Sequence, residues 1–138
     1  MSQKTPTLSE LEVGSELPEL PIEITTSLVV GGAIASRDFT PVHHDREAAK
    51  AAGMPDVFMN ILTTNGLVSR YITDWAGPDA LIRNVSIRLG TPYTPGETMT
   101  LRGKVVELSE QDATVEVAGA NSWGDHVTGT VRVALPVS

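Results

Sequence analysis

The stretch Arg37-Asp38-Phe39-Thr40-Pro41-Val42-His43-His44-Asp45 concentrates more chemistry than any other window of the chain. An Asp and a His five residues apart do not share a helix face as i,i+4 neighbours do, and Pro41 drives Thr40 toward extended geometry. Asp38 and His43 therefore meet, if they meet, across a turn that aims both at one point. Unperturbed groups of these types titrate near ~4 and ~6.5, so at neutral pH the pair offers a carboxylate and a neutral imidazole, an acid/base set. A second reading stands beside it: an Asx-type start to a helix with a partnered surface histidine.

Other chemistry is thin. The chain has no cysteine, which excludes thiolate metal sites, disulfides and a Cys nucleophile. His43-His44-Asp45 resembles a metal cluster, but consecutive side chains point apart and no ligand-rich stretch completes it, so no metal is expected. His126 follows a Gly-Asp turn and reads as a turn or edge residue, and Trp75 and Trp123 read as helix-end and turn anchors or as the lining of an apolar cavity. The net charge of −7 argues against a nucleic-acid partner, which needs clustered Lys and Arg. Arg83, Arg88, Arg102 and Lys104 lie close in sequence and suit either solvated strand faces or a small phosphorylated ligand.

The elements that must position Asp38 and His43 follow from length and pattern. At 138 residues the chain supports one core, so a single domain over 1–138 is expected, with residues 1–21 as an extended lead-in rich in proline. Residues 22–35 are rich in Thr, Val and Ile, and Gly31-Gly32 falls near their end, which predicts a strand that bends or gives way to a short turn. Asp45 as N-cap, Glu47 in the first turn and Gly53 as the stop predict a short surface helix. Val57, Ile61, Leu62, Leu67, Val68, Tyr71, Ile72 and Trp75 recur with helical spacing before Gly77-Pro78, which predicts one long, largely buried helix. After Ala80 the period becomes two through four runs separated by turn residues, which predicts an antiparallel meander. The expected fold is α+β, a single hotdog domain whose curved sheet of about five strands wraps the long helix. No apolar run approaches the ~20 residues of a membrane span, and no signal-like segment opens the chain. A soluble, cytoplasmic protein is expected.

Asp38-Phe39-Thr40-Pro41-Val42-His43 resembles the signature of the MaoC-like hydratases and dehydratases, hotdog proteins that act on acyl-coenzyme A thioesters. The likeness extends through the long helix and the Tyr93-Thr94-Pro95-Gly96-Glu97 turn. A closer resemblance is to the small subunits of heteromeric actinobacterial steroid enoyl-CoA hydratases. It is carried by Ser36-Arg37-Asp38-Phe39, Val42-His43-His44-Asp45-Arg46, Asn60-Ile61-Leu62-Thr63, Thr73-Asp74-Trp75-Ala76-Gly77-Pro78 and Gly124-Asp125-His126-Val127-Thr128.

This resemblance implies hydration of a trans-2-enoyl-CoA, with Asp38 and His43 activating water and backbone amides at the long helix's start, near Asn60 and Ile61, stabilising the thioester oxyanion. It implies no cofactor beyond the coenzyme A of the substrate, and a second hotdog chain as partner, identical or lacking the dyad. Arg83 and Arg88 are the candidate contacts for the CoA phosphates. Family members usually have His-Gly where this chain has Met59-Asn60, so Asn60 stands equally as oxyanion-site residue and as helix N-cap. A hotdog thioesterase and a non-catalytic subunit of a hydratase remain as alternatives.

Overall fold

The computed structural model describes residues 4–138, so residues 1–3 of the expected lead-in lie outside the described residues. A single 3-10 turn, Leu8–Glu10, precedes β1 (Leu20–Glu23), α1 (Thr26–Ala35) and α2 (Arg46–Ala51). The long helix α3 (Ile61–Ala76) follows, and then β2 (Leu81–Leu89), β3 (Thr98–Leu108), β4 (Asp112–Asn121) and β5 (Gly124–Ala134). All strand pairs are antiparallel, in the order β1-β3-β4-β5-β2. This is the expected α+β hotdog arrangement. The sheet is bulged between Ile82 and Asn84, Val105 and Glu107, and Gly119 and Ala120, and bulges of this kind add local bend and twist.

Three sequence expectations are corrected. Residues 22–35 are not one bent strand: β1 ends at Glu23 and Thr25 opens α1, its hydroxyl accepting from the Leu28 N–H. The β-branched residues favour a strand, and two glycines disfavour a helix by about 1 kcal/mol each. Tertiary contact overrides both, because Gly32 lets α1 lie directly against Thr63 of α3.

The four later strands also do not form a simple meander. Only β3, β4 and β5 follow one another in the sheet, whereas β2 pairs with β5 at the far edge. The connection from Leu89 to Thr98 is long enough to cross over, and it is pinned midway by Tyr93, fully buried, whose carbonyl accepts from the Met59 N–H at 2.9 Å.

Finally, α3 is buried on one face only. Thr64, Leu67, Val68, Tyr71, Ile72 and Ala76 pack into the core, while Ile61, Leu62, Asn65, Gly66 and Thr73 are exposed. The pattern starts earlier than the helix does: Val57 and Met59 are buried in the segment leading to it. The inward side of the sheet, with Met99, Leu101, Val105, Val115, Val117, Val131 and Val133, completes the core. Among the described residues no helix is long and apolar enough to cross a membrane.

A Cβ added at Gly32 would overlap the Thr63 side chain, whose hydroxyl is itself held by Asn60. Gly32→Ala should therefore destabilise the fold by about 1–3 kcal/mol, as overpacking does, despite alanine's better helix propensity. Chemical denaturation of the two proteins measures the difference. A gain in stability would show that α1 and α3 do not need this approach.

Candidate active site

The end of α1 aims Asp38. Arg37 N–H reaches the Ile34 carbonyl and Asp38 N–H the Ala33 carbonyl, the paired closing bonds of a Schellman motif. Arg37 occupies the left-handed position with φ 59°, where glycine is favoured, so the turn is held by its surroundings rather than by its own preference. Thr40 is extended (φ −59°, ψ 124°), as a residue before proline should be, and leads into the 3-10 turn Pro41–His43. His43 is thereby returned to Asp38, with Nε2 3.4 Å from Oδ2.

The tautomer of His43 is set by its other nitrogen. Nδ1 lies 2.6 Å from the Phe58 carbonyl, which can only accept, so Nδ1 carries the proton. The Nε2 lone pair of the neutral ring then faces Asp38. His43 is 8% exposed, and the Phe58 ring stands edge-on to it at 5.0 Å.

Asp38 is surrounded by donors. Its Oδ1 accepts from the Thr40 hydroxyl (2.7 Å) and the Thr40 N–H (3.2 Å), and its Oδ2 accepts from the Asn60 side-chain amide (3.0 Å). The Thr40 hydroxyl and then the Asn60 amide dominate in lowering the carboxyl from 3.8 to about 2, helped by the Thr40 N–H and the nearby imidazole and opposed by partial burial. Asp38 is an anion at any physiological pH.

Asn60, 3% exposed, is the N-cap of α3. Its Oδ1 accepts from the Thr63 N–H (3.0 Å) and hydroxyl (2.6 Å), while its Nδ2 donates to Asp38 and to the Ser36 hydroxyl (3.0 Å). Of the two roles the sequence left open for Asn60, oxyanion-site residue and helix N-cap, the cap is present, and the same side chain also reaches the dyad. The backbone N–H groups of Asn60, Ile61 and Leu62 have no acceptor within the helix, which leaves a patch of donors beside the dyad.

The structure thus gathers Asp38, His43 and Asn60, with Ile61 following Asn60 as the first residue of α3. It does not gather the two arginines. Arg88 alternates with Ile87 and Leu89, which pack on the core, so it faces away from α3; Arg83, exposed near the opposite end of β2, lies 3.9 Å from Asp112. His44 and Asp45 serve the backbone: His44 Nε2 donates to the Phe39 carbonyl (3.1 Å), and Asp45 caps α2 through the Glu47 and Ala48 N–H groups. Trp75 is partly buried against the core and Trp123 is exposed on the β4–β5 turn.

His126 is the residue that sequence reasoning missed. It is 1% exposed, its Nδ1 donates to the Thr91 carbonyl (2.7 Å), and its Nε2 accepts from the Thr64 hydroxyl in the first turn of α3 (2.9 Å). It therefore braces the helix start that carries Asn60. Nothing in its spacing signals this, because both partners are more than thirty residues away.

With this geometry in view, the chain is matched over residues 12–125 by the family described as MaoC like domain, and it belongs to that family. It is 49% identical over 123 residues to the 3-oxo-4,17-pregnadiene-20-carboxyl-CoA hydratase beta subunit of Mycobacterium tuberculosis, covering 89% of this chain and 95% of that protein. A chain of the ChsH1–ChsH2 complex from the same organism superimposes with a TM-score of 0.88 at 48% identity, over 90% of this chain and 98% of that one. The (R)-hydratase from A. caviae involved in PHA biosynthesis is similar with a TM-score of 0.83 at 25% identity, over 91% and 98% of the two chains.

Burial pushes the His126 imidazole below its ordinary 6.5, against the opposing effect of its bond to Thr91. The unfolded chain binds this proton at a higher pH than the folded one, so the contribution of neutral His126 is complete above about pH 6.5 and declines as pH falls. Asp38, with its lowered carboxyl, acts only below about pH 4 and leaves this window clear. Wild-type Tm should fall between pH 7 and pH 5 more steeply than that of His126→Asn, itself less stable at pH 7. Parallel curves would exclude His126 as the source of the slope.

Proposed function

We propose that this chain is the dyad-bearing subunit of an enoyl-CoA hydratase. The observation that carries the reading is the 3.4 Å approach of Asp38 and His43 beside the unpaired first-turn amides of α3. A carboxylate held at about 2 is a weak base, so the labour divides. Asp38 accepts a hydrogen bond from the water and orients it, and the His43 Nε2 lone pair takes its proton. The water oxygen bonds to C3 of the trans-2-enoyl thioester, the C2–C3 π electrons shift toward the carbonyl, and the proton is returned to C2. Charge gathers on the thioester oxygen in between, where the Asn60 and Ile61 amides at the positive end of α3 stabilise it.

The substrate we assign is an enoyl-CoA with a bulky, steroid-type acyl group, as the name of the relative from Mycobacterium tuberculosis suggests. Ile34, Phe39, Ile61 and Leu62, near the dyad's anchors in the chain, are large, apolar and 47–61% exposed, consistent with contact to an apolar group or to a partner. The partner is a second hotdog chain. The outer edge of β2, Leu81–Leu89, is a long unpaired row of backbone groups of the kind that proteins cover, and the relative in the ChsH1–ChsH2 complex is itself part of such an assembly.

In the assembly in which the wild-type chain is active, Asp38→Asn and His43→Ala should each lower kcat for hydration by about 10²-fold or more, the scale of general acid–base catalysis. The assay follows loss of the conjugated enoyl-thioester absorbance with crotonyl-CoA and with a steroid enoyl-CoA. Unchanged turnover in both variants removes the dyad from the chemistry and makes the chain a supporting subunit. Release of free thiol with the absorbance retained means a thioesterase instead.

A further inference from the structure

Asn60 carries more than a helix cap. An N-cap needs only one acceptor aimed at the N–H groups of the first turn, and serine or aspartate supplies it as well as asparagine does. The oxygen of Asn60 does this work toward Thr63. Its nitrogen, which the cap does not use, has both hydrogens placed: one on Asp38 Oδ2 and one on the Ser36 hydroxyl, each at 3.0 Å. Ser36 is free to accept because its own hydrogen goes to the Gly32 carbonyl (2.7 Å). Only an uncharged amide fills the position. A carboxylate would face Asp38 with like charge, and a hydroxyl is too short to serve Thr63, Ser36 and Asp38 at once.

We propose that Asn60 is a positioning residue for the hydration dyad: its side-chain amide locks the Asp38 carboxylate toward His43 and ties it to the end of α1 through Ser36. The inference rests on the hydratase reading for its effect on turnover, but not for its effect on Asp38 itself. Two of the three bonds on the carboxylate come from Thr40 within the same turn, and Asn60 supplies the one from outside it. Without that bond the carboxylate is free to rotate about Cβ–Cγ and to turn Oδ2 away from His43. The same bond sets the distance between the dyad and the oxyanion amides, since Asn60 is at once the partner of Asp38 and the first residue of that amide patch.

Two substitutions separate positioning from capping. Asn60→Ser retains the cap and loses the bond to Asp38; Asn60→Asp retains cap and shape but sets a second carboxylate against the first. The Asp38 carboxyl is titrated by ¹³C NMR in the full-length chain, and hydration of crotonyl-CoA is measured against pH in the active assembly. In Asn60→Ser the Asp38 midpoint should rise by about half a unit or more, kcat should fall by about tenfold or more with KM within about twofold, and Tm should stay close to wild type. In Asn60→Asp the two carboxyls should titrate as a coupled pair, the upper midpoint above the ordinary carboxylate value, with the acidic limb of kcat displaced upward. An unchanged Asp38 titration in Asn60→Ser overturns the inference and leaves Asn60 as a cap alone. If the wild-type chain hydrates no enoyl-CoA, the hydratase reading fails while the NMR titration still decides this one.

Discussion

Everything at the candidate site depends on how closely α1 approaches the first turn of α3. At Gly32 there is no side chain, and Thr63 occupies the space a Cβ would take. That contact brings the C-terminus of one helix to the N-terminus of another, where orphan carbonyls and orphan N–H groups both need partners. Ser36 bonds back to the Gly32 carbonyl, Asn60 caps α3, and the two side chains meet. Asp38 is the next residue but one after Ser36, so the packing that closes the helices also fixes the carboxylate.

Charge is distributed over the site with the same economy. Asp38 is kept anionic chiefly by the three hydrogen bonds it accepts from Thr40 and Asn60, and the His43 ring is oriented by a single carbonyl. His126, in contrast, has both nitrogens occupied and is kept neutral by burial. One histidine thus turns its Nε2 toward Asp38 while the other serves only as a brace. Their roles differ through surroundings, since the two side chains are chemically identical.

Several features could be read from the residues. Period-two runs marked β2 to β5, helical spacing marked α3, and Asp45 marked the start of α2, because each of these patterns is local and physically direct. Where local preference and tertiary packing disagree, the sequence misled. The Thr, Val and Ile content of residues 22–35 favours a strand, but the gain from seating Gly32 on Thr63 makes α1 a helix. Strand order was likewise hidden: nothing in the runs distinguishes β2 beside β3 from β2 beside β5, and the crossover that decides it is held by buried Tyr93, whose carbonyl accepts from the distant Met59 N–H.

By itself, then, the sequence determined the one fold class and the residue pair able to do acid/base chemistry, because alternation, helical spacing and the Asp38-to-His43 motif are all short-range. Only the tertiary structure decided that the Asn60 amide reaches Asp38, that His126 braces the start of α3, and that Arg83 and Arg88 lie exposed on β2. The physical reason is separation along the chain. A hydrogen bond spanning twenty-two residues, as between Asn60 and Asp38, or sixty-two, as between Thr64 and His126, exists only once the core has closed and brought those groups together.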